Sequence, residues 1–567
     1  MKQSIQVLTV SLFMAAFSLA AGQPRLVVER PFEPVVLRGS ILSSAYSYPV
    51  NELYLYAWDN ATWSWRMMPF QIDERILAPD PNNPEVNRHS YFIPDDGLLD
   101  EDDELVFMVR DLGVRAPARA WIDNPESRNF NRIELEVYDP DNGENNAYAY
   151  LFRSPTITEA VPSPYAFAYD STADRVDSRY YAVAMDAKIG LVKDIAIKPP
   201  FGSGQDLFDR QKIRATAVLG GGPFSDMRFD KVTESLIKVV PGYRKITPKP
   251  VVRLVREVRQ TFNLGIADLE EGMTFYVTTR FYPFNGRVAG GSALDEASLK
   301  QAMPKWDDPF ILFEYLRQSW DLSSNAKGMR YFNKHNSGIL VDGTPDIVNL
   351  AIDRPIRDWN LVAGSQGALF SLTTLPDTVA ESISLYYYDN STGGTGDPAN
   401  LRYFDTGEEK GSYGDFGFSM VNAKSLELSF EMYFLPDTIN SAAQAQNLAD
   451  AVERSVWVYS RTVTGVAGWP GNTAPSSFAL SHNYPNPFNQ ETTISFTLTK
   501  GERIALDVYD AHGRCVRRIT AGFYSGGTYH FSWDGRDDWG IAISSGVYFA
   551  QLHGEGRTVR QKLLLLR

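Results

Sequence analysis

Apolar and polar residues alternate with a period of two along much of the chain, in short runs broken by turn residues. Ile133-Glu134-Leu135-Glu136-Val137-Tyr138 is the plainest case, with carboxylates on one face and apolar side chains on the other, the mark of a half-buried strand. Residues 53–58, 63–72 and 104–109 read as further strands. Asp59-Asn60 ends the first of them, and Asp139-Pro140-Asp141-Asn142-Gly143 turns the chain back into a strand at 147–152. Past Pro155, Pro162 and Pro164, strand-like runs recur at 180–187, 251–262, 274–282, 369–374, 382–388 and 426–434. A helix is predicted at 441–456, where Leu448, Val452 and Val456 recur at four-residue spacing and Ala451 fills the same face. A second, short helix is predicted within 307–320.

The pattern predicts a mainly β chain built from several antiparallel β-sandwich domains. A first sandwich takes residues 23–155, and a large β-rich region, one domain or two, takes 165–464. Residues 465–477, rich in Gly, Pro, Asn, Thr and Ser, read as a linker. A last domain takes 478–567. Residues 1–22 read as a secretory signal peptide: Lys2 begins it, an apolar stretch spans 7–17, and Ala20, Ala21 and Gly22 precede a cleavage point near Gln23. That stretch is shorter than the roughly 20 apolar residues a bilayer requires, and no later segment has the length and apolarity of a span.

Composition narrows the function. A chain of 567 residues should divide into two to four domains. Aromatic residues make up 13%, which favours pleated, half-buried surfaces. The single cysteine, Cys515, excludes an intrachain disulfide and is expected to be a small buried hydrophobe of the last domain. A net charge of -14 argues against nucleic acid, whose phosphates need Lys and Arg. Of six histidines only His89 and His335 lie ahead of residue 478. That leaves little for a multi-histidine zinc site or a Ser-His-Asp triad. Gly220-Gly221-Gly222, followed by Pro223, reads as a turn and not a phosphate loop.

Three stretches could carry chemistry. In the acidic run 95–104, Asp100, Asp102 and Glu104 alternate and are candidate calcium ligands; the alternative is a solvated turn. Gln71, Asp73 and Arg75 share one strand face as a candidate binding site: Asp73 and Arg75 could bind sugar hydroxyls, Asp73 could approach the acidic run, or Arg75 could pair structurally with a nearby carboxylate. Trp63 and Trp65, two apart, should face one side, either as a stacking platform for sugar rings or as core. Asp307, Asp308, Asp353 and Asp358 are further carboxylates, too many to single out a glycosidase pair.

The last domain carries the most specific signal: Asn483-Tyr484-Pro485-Asn486-Pro487-Phe488-Asn489, Val508-Tyr509-Asp510, Trp533-Asp534-Gly535, Ser545-Gly546-Val547-Tyr548-Phe549, and Lys562 ahead of an apolar end. It resembles the type A C-terminal sorting domain of type IX secretion cargo, which shares the immunoglobulin-like fold of flagellar hook-capping proteins. Gln490 stands where that family usually has Pro. The resemblance implies an immunoglobulin-like last domain, the type IX machinery as partner, and passage through periplasm and outer membrane to the cell surface or medium. The 69–74 and 96–107 stretches resemble a recurrent pattern of uncharacterised exported bacterial β-sandwich proteins. The strand density of 165–464, with Asp209-Arg210-Gln211-Lys212 and Val251-Val252-Arg253-Leu254-Val255-Arg256-Glu257, resembles the supersandwich of mutarotase-like and polysaccharide-lyase proteins. Three readings follow. One is a non-catalytic surface protein that binds carbohydrate, a polysaccharide or cell-surface glycan, or another surface ligand. The second is a polysaccharide-acting lyase or hydrolase housed in 165–464. The third is a purely structural component of the cell envelope.

Overall fold

The computed structural model describes residues 23–566 apart from 80–86, 94, 141, 222–225, 264–272, 291–299, 301–302, 304–305, 353–356, 376–379, 393–411, 424–428, 464–477, 482, 490, 499–501, 511–513, 525–526, 538–541 and 555–556. The signal-peptide stretch, the 465–477 linker, Asp353 and Gln490 therefore lie outside the described residues. What is described is β-rich, with antiparallel strands throughout its extended sheets.

The first body is a sandwich. Pro34–Arg38, Glu104–Met108 and Phe70–Asp73 form one sheet; Trp457–Val463, Arg132–Asp139, Asn142–Arg153, Leu53–Asp59 and Ser64–Met67 form the other. Alternation drives Val35, Leu37, Leu105 and Phe107 against Leu53, Leu55, Leu135 and Val137, all buried. The run expected as a single strand at 63–72 divides at Met68-Pro69, and its halves join different sheets. The outermost strand of the second sheet, Trp457–Val463, arrives from more than three hundred residues away and pairs with Arg132–Asp139 from Trp457↔Tyr138 to Val463↔Arg132.

The middle body packs a five-stranded sheet against a nine-stranded one, with a four-stranded sheet beside them. In the five-stranded sheet the order is Met227–Thr233, Phe208–Gly220, Phe310–Leu322, Ser412–Ala423, Ser382–Asn390. The predicted helix within 307–320 is thus a central strand. Its Trp320, Leu322 and Tyr315 are buried, as are the polar Arg317, Gln318 and Ser319. A strand covered on both faces loses its alternation, so its period cannot be read. Gly221 has φ +80, and a Cβ there would meet the carbonyl of Asp308 at 1.7 Å, so this turn needs glycine. The predicted helix at 441–456 forms as Ala442–Glu453. It buries Ala445 and Ala449, with Leu448 and Val452 packed against the same cluster beneath it.

The last domain pairs a three-stranded sheet (Ala479–Leu480, Thr492–Leu498, Gly527–Trp533) with a four-stranded one (Cys515–Tyr524, Glu502–Tyr509, Gly546–Gly554, Arg557–Leu565). Ile494, Phe496, Leu506, Val508, Ala550 and Leu563 fill the space between them. Cys515, expected to be buried, is exposed. The register between its strand and Glu502–Tyr509 shifts beside it, so that Val516 and Ile519 turn inward instead.

Candidate functional site at the junction of the bodies

Gln71 and Asp73 leave the first body on the strand Phe70–Asp73, which pairs Asp73 with Glu104. Their side chains meet the segment that leads into Leu254–Phe262 of the nine-stranded sheet. The Gln71 carbonyl accepts from the backbone N–H of Val251 (2.9 Å), Val252 (3.2 Å) and Arg253 (3.3 Å), and its amide donates to the Arg253 carbonyl at 2.9 Å. Arg253, 1% exposed, donates Nε to Asp73 Oδ2 at 2.8 Å and Nη2 to Glu104 Oε2 at 2.7 Å. From the other side, Arg75 Nη1 reaches Glu104 Oε1 at 2.8 Å, and its Nε donates to the Asp102 carbonyl at 2.7 Å. Tyr91 Oη donates to Glu104 Oε2 at 3.0 Å and accepts from Arg280 Nε at 3.3 Å. Burial opposes the charged form of Glu104. The guanidiniums of Arg253, Arg75 and Arg280 outweigh it and pull the carboxyl down to about 2.

Gln71, Asp73 and Arg75 are thus brought together, with Gln71 and Asp73 turned onto the next domain. The calcium candidates diverge. Glu104 enters the arginine cluster. Asp102 lies 3.5 Å from His89 Nδ1, and Asp100 Oδ1 accepts from the N–H of Asp102 at 2.8 Å. Among the described residues no group of three His, Cys, Asp or Glu side chains is placed to hold a metal ion. The organising carboxylate of this loop is Asp103, fully buried, accepting from the N–H groups of Arg75 and Asp100 at 3.0 Å each. Burial drives its carboxyl up to about 7 against those hydrogen bonds, with Asp100 and Asp95 adding repulsion.

Trp63 and Trp65 do not form a flat pair. Trp63 precedes the strand Ser64–Met67, sits at φ 51 and is 67% exposed. Trp65 is half-buried, edge-on to Tyr150 (5.0 Å) and Phe152 (5.2 Å). Strand alternation fails for the pair because the first residue belongs to the turn. In the middle body, Lys212 sits between Asp321 (2.7 Å) and Asp415 (3.4 Å), and Arg317 Nη1 donates to Tyr386 Oη at 2.9 Å. All five are at most 4% exposed. Asp358 is fully buried with Lys334 at 3.4 Å, whereas Asp307 and Asp308 are exposed.

The tail motif is knitted into its own domain. Asn483 Nδ2 donates to Thr492 Oγ1 at 2.7 Å, and that hydroxyl donates to the Pro485 carbonyl at 2.7 Å. After Pro487, Phe488 packs on Trp533 at 5.5 Å. Asn486 Oδ1 accepts from the N–H of Leu564 at 2.9 Å, and its amide donates to the Lys562 carbonyl at 3.1 Å. Trp533 Nε1 donates to the Arg536 carbonyl at 2.8 Å across the Asp534-Gly535 turn, where Gly535 has φ 71. Gly546 and Tyr548 line a shallow depression of about 360 Å³ with Asp510 and Arg514. The domain also meets the first body: Glu491 pairs with Arg38 at 3.0 Å, Tyr484 Oη donates to Glu101 at 3.3 Å, and Tyr459 stacks on Tyr138 at 4.7 Å while packing on Phe531 at 4.5 Å.

The junction arginines Arg253 and Arg280, and Tyr91, were not among the sequence candidates. Both arginines lie far along the chain from the residues they meet, Asp73, Glu104 and Tyr91, and no local spacing announces them.

Residues 482–556 match the family model for the FlgD Ig-like domain. No curated protein sequence matches the chain. Among solved structures, similarity is found to dimeric latent PorU from Porphyromonas gingivalis (11% identity, TM-score 0.14, covering 82% of this chain and 42% of that one). It is also found to PorZ, described as an essential surface component of the type IX secretion system of the same organism (9% identity, TM-score 0.12, 73% and 47%). A third is the trimeric ectodomain of the C. elegans fusion protein EFF-1 (9% identity, TM-score 0.12, 71% and 95%). The chain spans less than half the length of the first two. Similarity this distant transfers no function.

Proposed function

We propose that the chain is an exported β-sandwich protein, sorted by its C-terminal immunoglobulin-like domain through the type IX machinery to the cell surface or medium, with a non-catalytic body that binds a surface ligand such as a glycan. The observation that carries this reading is the FlgD Ig-like match over 482–556, on the domain that bears the Asn483–Phe488, Trp533-Asp534-Gly535 and Lys562 motif. Supporting the non-catalytic body, the carboxylates and arginines gathered at the junction and around Lys212 tie strands and domains together. A polysaccharide cannot reach groups as buried as Lys212, Asp321 and Asp415. Expressed in a bacterium that has the machinery, the whole chain should reach the surface or medium, and a chain ending at Ser477 should stay in the periplasm. Surface display of the shortened chain would overturn the sorting role. Reducing-sugar or unsaturated-sugar release by the purified protein would overturn the non-catalytic one.

A further inference from the structure

Around the Tyr91 ring three guanidiniums stand against two ion-paired carboxylates, while Asp103 accepts from the Arg75 N–H and Glu491 acts electrostatically on Arg75. Arg75, Arg253 and Arg280 stand around one ring, their guanidinium carbons 5.5, 5.1 and 5.4 Å from the Tyr91 centroid. The carboxylates that ion-pair within this group are Asp73 and Glu104. Arg253 takes both, and Arg75 takes Glu104. Arg280 donates Nε to Tyr91 and makes no direct ion pair among the described residues, its charge acting on Glu104 from beyond contact. Arg75 Nη2 is buried without a hydrogen-bond partner, although Arg75 is only 4% exposed. A guanidinium has five N–H donors, and leaving a buried one unmet is costly. Arg280 and Tyr91 are themselves only half-buried, so the cluster has an edge that solvent reaches. Lys245 Nζ lies 5.8 Å from the ring of Phe92, which follows Tyr91 in the chain, and Lys245 stands opposite Glu257 in its strand pair.

We propose that this edge, between the first body and the nine-stranded sheet, is a binding site for an anionic group, a carboxylate or a sulfate, held by Arg280 beside Tyr91, with the buried Arg75 guanidinium adding its charge from behind. Planar guanidiniums grip such groups through paired N–H donors, and beside a buried cluster the lowered dielectric strengthens the attraction. The group could belong to an acidic sugar or to a free ion. The proposal does not depend on the export reading, since a purified chain that no machinery sorts would still bind.

The test is calorimetric titration and thermal melting of the purified full chain with sodium glucuronate, sodium sulfate and neutral glucose, at ionic strength matched with sodium chloride. Saturable heat and a raised Tm are expected with an anion and not with glucose. Response to glucuronate alone identifies a sugar acid, and response to both identifies an anion site indifferent to the carrier. Arg280→Met should weaken binding about ten-fold or more, the worth of a charge-assisted pair, and Arg280→Lys should restore part of it. Arg280→Met also loses the hydrogen bond to Tyr91 and the attraction to Glu104, so the readout is the anion response of each variant against its own anion-free Tm. Two results would overturn the site: no anion response beyond chloride, or unchanged affinity in Arg280→Met.

Discussion

Arg253 and Asp73, 180 positions apart in the chain, meet across the boundary between two domains, with Nε donating to Oδ2 at 2.8 Å. Arg253 is 1% and Asp73 8% exposed, so neither charge has water to fall back on. Removing one partner of a buried pair typically costs about 3–5 kcal/mol. Arg253 keeps Glu104, so Asp73→Ala should lower the unfolding free energy from urea titration by up to about that amount. Replacing both residues with apolar side chains of similar volume should recover much of the loss, which a double-mutant cycle would measure.

Asp103 and Glu104 are neighbours in the chain that titrate in opposite directions. Glu104, held at about 2, contributes stability that is complete above about pH 4.5 and is lost as pH falls towards 2. Asp103, raised from 3.8 to about 7, binds its proton more tightly when folded, so stability declines as pH rises from about 4 to 7. Urea midpoints recorded from pH 3 to 8 should show Asp103→Asn flattening the decline above pH 4. Glu104→Gln should flatten the acid-side loss while lowering stability at neutral pH, since Arg253 and Arg75 lose their shared anion.

Tyr459 belongs to the strand that closes the first body's sheet, yet its ring is shared with the last domain. It stacks on Tyr138 and packs on Phe531, and its hydroxyl donates to Thr520 Oγ1 at 3.1 Å. Truncating a buried aromatic costs about 3–5 kcal/mol. Tyr459→Ala should both lower Tm and speed the release of the C-terminal domain in limited proteolysis. Tyr459→Phe, which keeps the rings and loses only the hydroxyl, should cost about 1 kcal/mol and leave the cleavage rate close to that of the parent.

The helix Ala442–Glu453 starts at Ser441, whose hydroxyl accepts from the N–H of Gln444, while the Gln444 side chain reaches back to accept from the N–H of Asn440 at 2.8 Å. At the other end, Arg30 of the first body donates to the carbonyls of Ala451 (3.0 Å) and Arg454 (2.9 Å). Ser441→Ala should cost about 1 kcal/mol, the usual worth of a side-chain cap, read as a shift in the urea midpoint. Arg30→Met should cost several times as much, because it also takes a buried guanidinium away from the carboxylates of Asp139 and Glu33.

The alternation at 133–138, and the aromatic run 53–58 ended by the Asp59-Asn60 turn, made these strands of the first body legible. Phe310–Leu322 was hidden because both of its faces are covered, and an apolar run with buried polar residues fits a helix as readily as a strand. The last domain was legible through its turn chemistry: Pro485, Pro487 and Asp534-Gly535 stand where the chain must bend. The candidate site was half legible. Gln71, Asp73 and Arg75 lie within one short segment, but Arg253, which takes Asp73, and Arg280, which takes Tyr91, enter through tertiary pairing of distant strands, which no spacing rule encodes. Asp103, the carboxylate that the acidic loop is built around, was passed over because alternation selected its neighbours; the loop's turn, not strand geometry, decides which acid is buried.

Trp63 and Trp65 separate surface from core within one hairpin. Trp65 is packed by Trp58, Tyr150 and Phe152, with the Arg132 guanidinium 5.7 Å from its ring. Trp65→Ala should therefore cost about 3–5 kcal/mol. Trp63 holds a left-handed φ of 51 that a bulky side chain tolerates poorly, and it is 67% exposed. Trp63→Gly relieves that backbone and loses little packing, so its Tm should stay within a degree or two of the parent or rise. If the proposed glycan contact uses this ring, the same variant should lose affinity on a glycan array while its melting curve is preserved. Equal affinity in Trp63→Gly and parent would remove Trp63 from the binding surface without touching the fold argument.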